Sequence, residues 1–296
     1  MRHTRFLSVG NHRGHSHVKT HRYKIPRESA EEHSLLLLGS YSNDADTFYT
    51  QHSLPYLCAL MGHKKLVKFQ AIETYRNVLQ HPENMPGNWS TVYGNENPIT
   101  LELACGKGEY SVGLGRVHPS RNFLGVDIKG NRIYTGAKTA LEENLTNVAY
   151  LRTHISHITK YFNAGEIEEI WIIFPDPFLK KESNRLTHPR YLHLYQQILK
   201  PGARINLKTD SKELYDFTLE TIESQGCTIH ENIADIYGKG LATGPLAIQT
   251  FYEKMHLADG RTIYFVSFSL PENGVKLTGR FNKEVVADEN DTDTDE

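Results

Sequence analysis

The sequence is poor in cysteine and has no long hydrophobic run. Its three cysteines, Cys58, Cys105 and Cys227, lie far apart and form no C-x-x-C pair, which argues against a disulfide framework and against a zinc site. The longest run of leucine, at 35–38, is far shorter than the ~20 apolar residues of a membrane-spanning helix. These absences predict a protein of a reducing compartment, the cytoplasm by default, with no membrane segment and no metal.

The sequence also lacks a large net charge, which at first argues against a nucleic-acid partner. The formal charge is −2, from 33 Lys and Arg and 35 Asp and Glu in 296 residues. However, residues 1–30 hold seven bases and one acid, whereas residues 284–296 hold seven acids and no base. The total therefore sums two oppositely charged ends and a balanced body, and it excludes no partner.

Composition divides the chain into four parts. Residues 1–60 are basic and rich in histidine and are predicted to be a poorly ordered extension. Alternatively, residues 1–27 are an organellar targeting segment or an RNA-binding arm, or the native start is Met61. Residues 61–97 are predicted to form an N-terminal arm and a loop-rich approach to the domain. The domain itself is predicted at 98–270, followed by a disordered acidic tail at 271–296.

Strand-like and helix-like segments alternate from residue 98 onward. The run E-I-W-I-I-F at 169–174 is apolar enough to be covered on both faces, as in a parallel sheet. Two last strand-like segments, at 227–233 and 262–269, look like a hairpin. The pattern predicts a doubly wound, Rossmann-like α/β fold. Its sheet is expected to be mostly parallel and seven-stranded, with an antiparallel strand at the C-terminal end.

Two motifs at strand ends indicate a nucleoside ligand. In L-E-L-A-C-G-K-G-E at 101–109, Gly106 and Gly108 allow a sharp turn close to a ligand, although a purely structural turn is the alternative. The third glycine of a dinucleotide motif is absent, which makes a dehydrogenase a distant alternative. Asp127 ends the second strand, where an acid binds ribose hydroxyls. The first motif also contains an acid, Glu102. Acidic neighbours suit a cationic ligand, so the pattern favours the cosubstrate S-adenosylmethionine (AdoMet).

The third motif, F-P-D-P-F-L-K-K-E-S-N-R-L-T-H-P-R-Y at 174–191, is the most specific. It follows the fourth strand, so Asp176 stands between two prolines at the sheet edge where open α/β folds bind ligands. Cationic and hydrogen-bonding groups follow the acid, as a polyanionic substrate requires: Lys180, Lys181, Arg185, His188 and Arg190. A solvated basic loop is the alternative interpretation.

The chain resembles the tRNA (guanine-N(7)-)-methyltransferases. The family's F-P-D-P-W-x-K-K/R stretch is matched at 174–181, with Phe178 in place of Trp, and L-K-T-D at 207–210 and T-F-Y-E at 250–253 also match. With the basic opening at 61–69, the resemblance covers roughly residues 61–269. It implies a class I AdoMet-dependent methyltransferase that forms 7-methylguanosine in tRNA, in the family at position 46 of the variable loop.

The resemblance also implies residue roles. AdoMet contact is implied for Glu102, Asp127 and Asp176, with Gly106 and Gly108 beside them, and Asp176 matches the catalytic position. His154 stands where the family often has Asp or Asn, so cofactor contact and an ordinary surface histidine are equal alternatives. Substrate contact is implied for Lys180, Asp210, Thr250 and Glu253, and RNA-backbone contact is expected of Lys181, Arg185 and Arg190.

Two of these residues have an alternative on sequence grounds. Asp210 could cap the helix expected to begin near Lys212, and Glu253 alone would be an ordinary surface glutamate. Guanine N7 carries a free lone pair, so orientation and electrostatics, rather than a general base, are expected to drive the transfer. Two other functions stay open: a methyltransferase acting on a small molecule or protein, and a non-catalytic RNA-binding subunit. The expected partner is tRNA, bound by a monomer or homodimer without an obligatory protein partner.

Overall fold

The computed structural model describes residues 65–277, so the expectations for residues 1–60 and for the acidic end after residue 277 lie outside it. Strands β1 to β8 are, in chain order, Val78–Gln80, Ile99–Leu103, Asn122–Asp127, Val148–Arg152, Ile167–Ile173, Leu199–Thr209, Thr228–Ile233 and Tyr264–Ser269. Helices α1 to α7 are residues 65–73, Ser90–Tyr93, Glu109–Val117, Gly130–Glu142, Pro189–Tyr195, Lys212–Gln225 and Phe251–Ala258. Short 3₁₀ helices cover Ile155–Lys160, Glu182–Asn184 and Gly244–Ala247.

The eight strands form one sheet in the order β1–β4–β3–β2–β5–β6–β8–β7. The pairs from β1 to β6 are parallel, and β8 runs antiparallel to both β6 and β7. The chain adds β3 and β4 on one side of β2 and then returns to add β5 on the other. The carboxyl ends of β2, β3 and β5 therefore meet at the switch point where open α/β sheets bind ligands.

The doubly wound α/β fold is confirmed, and its sheet has one strand more than expected. The extra strand, β1, lies in the stretch predicted to be a loop-rich approach. Aromatic side chains fix this approach to the domain: the Trp89 indole donates to the Tyr161 carbonyl at 2.9 Å, and the Tyr93 hydroxyl donates to the Phe123 carbonyl at 3.0 Å. Both rings are buried, and their burial outweighs the local turn preference of the prolines and glycines.

The C-terminal boundary also differs from the prediction. Residues 271–277, expected to begin the disordered tail, lie against the domain. Val275 is only 7% exposed, and its N–H donates to the Gln196 side-chain oxygen at 2.7 Å. The tail was predicted from its acidic composition, which reveals neither the burial of Val275 nor its hydrogen bond to a distant residue. The prediction therefore began the tail too early.

Both faces of the sheet are covered, one by each of two hydrophobic clusters. As a result every residue of β2 and β3 is buried, as expected for parallel strands between helical layers. Local signals set the long helix α6, whose N-cap Ser211 accepts from the Leu214 N–H and whose end is Gly226 at φ +69°. Of the helices within residues 65–277, none is long and apolar enough to cross a membrane.

Candidate active site

The loop between β2 and α3 turns tightly beside the end of β3. Gly106 and Gly108 have φ of +54° and +67°, a left-handed conformation that glycine adopts at little cost. Gly108 also has no room for a side chain, because an added Cβ would stand 2.6 Å from the Tyr150 phenol oxygen. The loop therefore packs on Tyr150, whose hydroxyl donates to the Gly108 carbonyl at 2.9 Å.

Asp127 holds this loop from the end of β3. One carboxylate oxygen accepts the Gly106 N–H at 2.9 Å and the other accepts the Lys129 N–H at 2.8 Å. These bonds fix the side-chain orientation while leaving each oxygen a further lone pair. A carboxylate held in a fixed orientation can accept hydrogen bonds from the two hydroxyls of a ribose.

Glu102 lies behind the loop, on β2. It is 3% exposed, and it accepts hydrogen bonds from the N–H of Ser111, at 2.7 Å, and from the Ser111 hydroxyl. Burial raises the pKa of the Glu102 carboxyl to about 7, against the lowering effect of these bonds, and the charges of Asp127 and Glu109 raise it further. Glu102 thus satisfies the first turn of α3, whose N-cap Gly108 has no side chain to do so.

The F-P-D-P segment leaves β5 in an unusual conformation. Phe174 and Phe178 both have positive φ, +47° and +42°, which is rare for aromatic residues and costs about 1–3 kcal/mol each. Between them Asp176 is exposed, and its carboxylate accepts the Phe178 N–H at 3.2 Å. Such strain is retained where a side chain has to be presented at a fixed place.

A cavity of about 650 Å³ opens at this edge of the sheet. Asp127, Thr153 and His154 line one part, and Asp176 and Phe178 line another. Basic and polar side chains also line it, namely Lys129, Arg132, His157, Lys181, Asn184, Arg190 and Tyr191, together with apolar residues such as Ile128, Ile155 and Leu186. The cavity therefore brings two separate carboxylates together with several cations.

Residues 96–266 match the profile of a family described as putative methyltransferase. The tRNA (guanine-N(7)-)-methyltransferase of Porphyromonas gingivalis is 46% identical over 213 residues, which are 68% of this chain and 87% of that protein. The protein of the same name from Bacteroides thetaiotaomicron is 42% identical over 224 residues, 73% of this chain and 89% of the relative. The chain belongs to the tRNA (guanine-N(7)-)-methyltransferase family. A solved structure, the 16S rRNA methyltransferase KamB, has 14% identity and a TM-score of 0.49, covering 62% of this chain and 94% of that one.

The cavity of this methyltransferase unites some of the residues that the sequence singled out and omits others. Five of them line it: Asp127, His154, Asp176, Lys181 and Arg190. Gly106 does not line the cavity, but its N–H donates to Asp127, which does. Glu102, Gly108 and Lys180 are absent from the lining. Glu102 lies behind the glycine loop on β2, Gly108 ends that loop against Tyr150, and Lys180 is exposed outside the cavity.

Arg185 does not have the predicted place among the RNA contacts. It is 4% exposed; its Nε donates to the Pro177 carbonyl at 3.0 Å and its guanidinium lies 4.5 Å from the Phe217 ring centroid. It therefore fastens the basic loop to α6 instead of facing solvent. His188 is also buried, and its Nδ1 accepts the Arg190 N–H at 3.2 Å at the start of α5.

Thr250 and Glu253, for which the resemblance implied substrate contact, are inside the methyltransferase domain. Thr250 is the N-cap of α7 and accepts the Glu253 N–H at 3.2 Å. The Glu253 carboxylate is fully buried, 2.6 Å from Lys208 Nζ and 2.7 Å from the Tyr237 hydroxyl. In this arrangement the two residues order the 244–253 segment, and a direct substrate contact is not supported.

Asp210 lies at the end of β6, outside the cavity. Its carboxylate contacts Arg261 Nη1 at 2.6 Å and His256 Nδ1 at 3.5 Å. The cap of α6 is Ser211, so the alternative interpretation of Asp210 as that cap is wrong. The ion pair with Arg261 joins two segments 51 residues apart, a contact that no local pattern reveals.

Sequence reasoning missed two cations of the cavity, Lys129 and Arg132. They belong to D-I-K-G-N-R at 127–132, directly after the acid that ends β3. Residues at the start of the helix that follows such a strand lie at the ligand-binding edge of the sheet. This position in the fold could have identified both residues from the sequence.

Proposed function

We propose that this protein transfers a methyl group from AdoMet to N7 of a guanine in tRNA and so forms 7-methylguanosine. One observation carries the proposal: a single cavity unites Asp127, suited to a ribose, with the exposed Asp176 and with the cations Lys181 and Arg190. A nucleoside cosubstrate and a polyanionic acceptor are thereby expected to meet at one place. The names of the relatives point to the same acceptor.

The residues around the glycine loop fit AdoMet. The cavity volume of about 650 Å³ falls in the range of about 300–1,000 Å³ that small-molecule sites have. Asp127 is oriented for the ribose hydroxyls by its bonds to Gly106 and Lys129. His154 and Thr153 follow β4 at the same edge and would flank the base. When bound, AdoMet supplies an electrophilic methyl group on a positively charged sulfur.

Asp176 is proposed to act on the acceptor guanine. N7 needs no deprotonation, so the carboxylate orients the base and favours the positive charge that develops on the purine ring, without acting as a general base. The turn between Phe174 and Phe178 holds it in place. Phe178 also lines the cavity, where its ring offers a stacking surface to an exposed base.

The cations Lys181 and Arg190 are proposed to hold the RNA backbone. Lys181 is exposed, and Arg190 lies with its guanidinium 4.8 Å from the Tyr191 ring centroid. Charged donors at the entrance of a cavity position a nucleic acid through its phosphates. Since N7 is on the Hoogsteen edge, the guanine has to be unstacked or already exposed to enter.

The test is nucleoside mass spectrometry of tRNA incubated with the enzyme and AdoMet, with Asp176→Asn beside the wild type. We expect 7-methylguanosine with the wild type and a loss of kcat of about 100-fold or more with the variant. tRNA affinity should change by no more than a few fold. Asp216→Asn is the matched control, an acid on α6 that pairs with Lys212 at 2.6 Å outside the cavity. Normal turnover by Asp176→Asn would overturn the role of Asp176.

The same assay separates the alternatives. A product on a small molecule or protein, with none on tRNA, would favour the first alternative, and AdoMet-independent RNA binding without any product would favour the second. We further expect a monomer or homodimer acting in the cytoplasm without an obligatory protein partner and without a metal. Light scattering of the purified protein and activity after chelation test the first and last of these.

A further inference from the structure

Cations stand on two sides of the cavity. Lys129 and Arg132 lie at the start of α4, after β3, and both are exposed. Lys181 and Arg190 lie in and after the basic loop that follows β5. Because β3 and β5 flank β2 in the sheet, the two pairs of cations are on opposite sides of the strand that carries the glycine loop.

The pair on α4 does not stabilise its own helix. The first turn of α4 has no acidic residue, and its N-cap makes no side-chain hydrogen bond. Cations at a helix N-terminus oppose the helix dipole. Within residues 65–277 neither Lys129 nor Arg132 forms an ion pair, whereas Lys138, farther along the same helix, pairs with Glu142 at 3.6 Å. Lys129 and Arg132 are therefore better suited to an external anion than to a structural role.

The cosubstrate does not account for this pair. AdoMet has two positive groups and one carboxylate, so its net charge favours Asp127 and Asp176 over additional cations. An RNA strand supplies a phosphate at every nucleotide. We propose that Lys129 and Arg132 bind backbone phosphates of the RNA on one side of the methylated guanine, while Lys181 and Arg190 bind them on the other side. This inference rests on the proposed function.

Helix α1 extends the basic surface on the α4 side. Gly130 has no side chain, and an added Cβ would stand 2.6 Å from Ile72 and 2.8 Å from Phe69. Their close packing brings α1 against the start of α4. Lys68 of α1 then lies with its Nζ 5.5 Å from the ring centroid of Tyr134. Lys68 therefore adds a third cation on the α4 side of the protein.

The experiment measures tRNA affinity of the full chain against salt concentration for Lys129→Gln, Arg132→Gln and the double variant. Each lost phosphate contact should reduce the log–log salt slope by about 0.7 for single-stranded RNA and weaken binding by about fivefold at 0.1 M salt. The double variant should lose about twice the slope. Affinity for AdoMet, measured by calorimetry without RNA, should stay within twofold. Lys138→Gln, the matched cation on α4, should leave both quantities unchanged.

Three results would overturn the proposal. An unchanged slope in the double variant would show that the pair does not contact phosphate, and an equal loss with Lys138→Gln would show a nonspecific charge effect. A loss confined to AdoMet affinity would assign the pair to the cosubstrate carboxylate. The proposed function fails separately, if wild-type enzyme forms no 7-methylguanosine in tRNA; the salt slopes are measurable in either case. Unchanged circular dichroism and melting temperature would confirm that the exposed substitutions leave the fold intact.

Discussion

The Nζ of Lys208 lies 2.6 Å from Oε1 of Glu253, and neither side chain is exposed to solvent. The pair joins the L-K-T-D motif at the end of β6 to the T-F-Y-E motif at the start of α7. Lys208 also donates to the carbonyls of Leu246 and Ile248, at 2.9 and 3.2 Å. The buried ion pair and these two hydrogen bonds therefore hold the 244–253 segment against the sheet.

Removing one partner of this pair should destabilise the protein strongly. Burial lowers the pKa of Lys208 and Glu253 counteracts it, so Glu253→Ala leaves an unpaired buried amine. We expect the free energy of unfolding to fall by about 3–5 kcal/mol, and Lys208→Met combined with Glu253→Leu to recover much of that loss. Urea unfolding measures both. Asp216→Ala, which breaks the exposed Lys212 pair, should cost less than about 1 kcal/mol. Equal costs for the two acids would contradict this account.

The two motifs could be found in the sequence, but their pairing could not. Lys208 and Glu253 are 45 positions apart in the numbering, and each alone is an ordinary charged residue. Their meeting depends on how β6 and α7 pack. The same holds for Arg185, which was expected to face RNA because it stands in a basic run. The carbonyl of Pro177 and the ring of Phe217 bury it instead.

Local signals, by contrast, were sufficient for several elements. Helix α6 begins at Lys212, where a helix was expected, because Ser211 caps its start, and the left-handed Gly226 ends it. Asp127 and Asp176 both line the cavity because they stand at the carboxyl ends of the parallel strands β3 and β5. The three-residue strand β1 escaped notice because only its pairing with β4 defines it.

Stability should fall with rising pH because of Glu102. Burial raises the pKa of this carboxyl from 4.5 to about 7 in the folded protein, so the folded state holds a proton that the unfolded chain releases. Its contribution is complete below pH 4.5 and is lost as the pH rises through about 7. The loss is about 3 kcal/mol, at about 1.4 kcal/mol for each pKa unit.

Glu102→Gln should remove this dependence in urea unfolding between pH 5 and 8. The exposed Glu142→Gln should keep it, and an unchanged profile in Glu102→Gln would refute the assignment.

The same carboxyl should couple AdoMet binding to pH. A cationic ligand in the cavity at Asp127 lies across the glycine loop from the buried Glu102, where its positive charge favours the ionised carboxylate and lowers the pKa of Glu102. Binding should therefore release a proton near pH 6 and become tighter as the pH rises from 5 to 7. Calorimetry in two buffers of different ionisation enthalpy measures the released proton. If Glu102→Gln releases as much as the wild type, another group is responsible.

The two loop glycines should differ in their tolerance of alanine. Both have left-handed φ, so either substitution costs about 1–2 kcal/mol of backbone strain. At Gly108 the new Cβ would also stand 2.6 Å from the phenol oxygen of Tyr150, a fully buried ring, whereas at Gly106 the nearest atom is 4.0 Å away. Gly108→Ala should therefore unfold at distinctly lower urea concentration than Gly106→Ala. Equal midpoints would mean that Tyr150 moves aside without cost.

Arg185 should act by holding the basic loop, and this role can be separated from phosphate binding. Arg185→Lys keeps the charge but loses the planar donor that reaches the Pro177 carbonyl while stacking on Phe217. The loop that carries Asp176 and Lys181 should loosen, so kcat should fall by about tenfold or more, as misplacement of reacting groups does. The salt slope of tRNA binding should stay at the wild-type value. Lys181→Gln, the exposed residue of the same loop, should show the reverse pattern, with a slope smaller by about 0.7 and a smaller change in kcat. If kcat stays intact in Arg185→Lys while the charge-removing Arg185→Gln lowers the slope by about 0.7, Arg185 belongs among the RNA contacts.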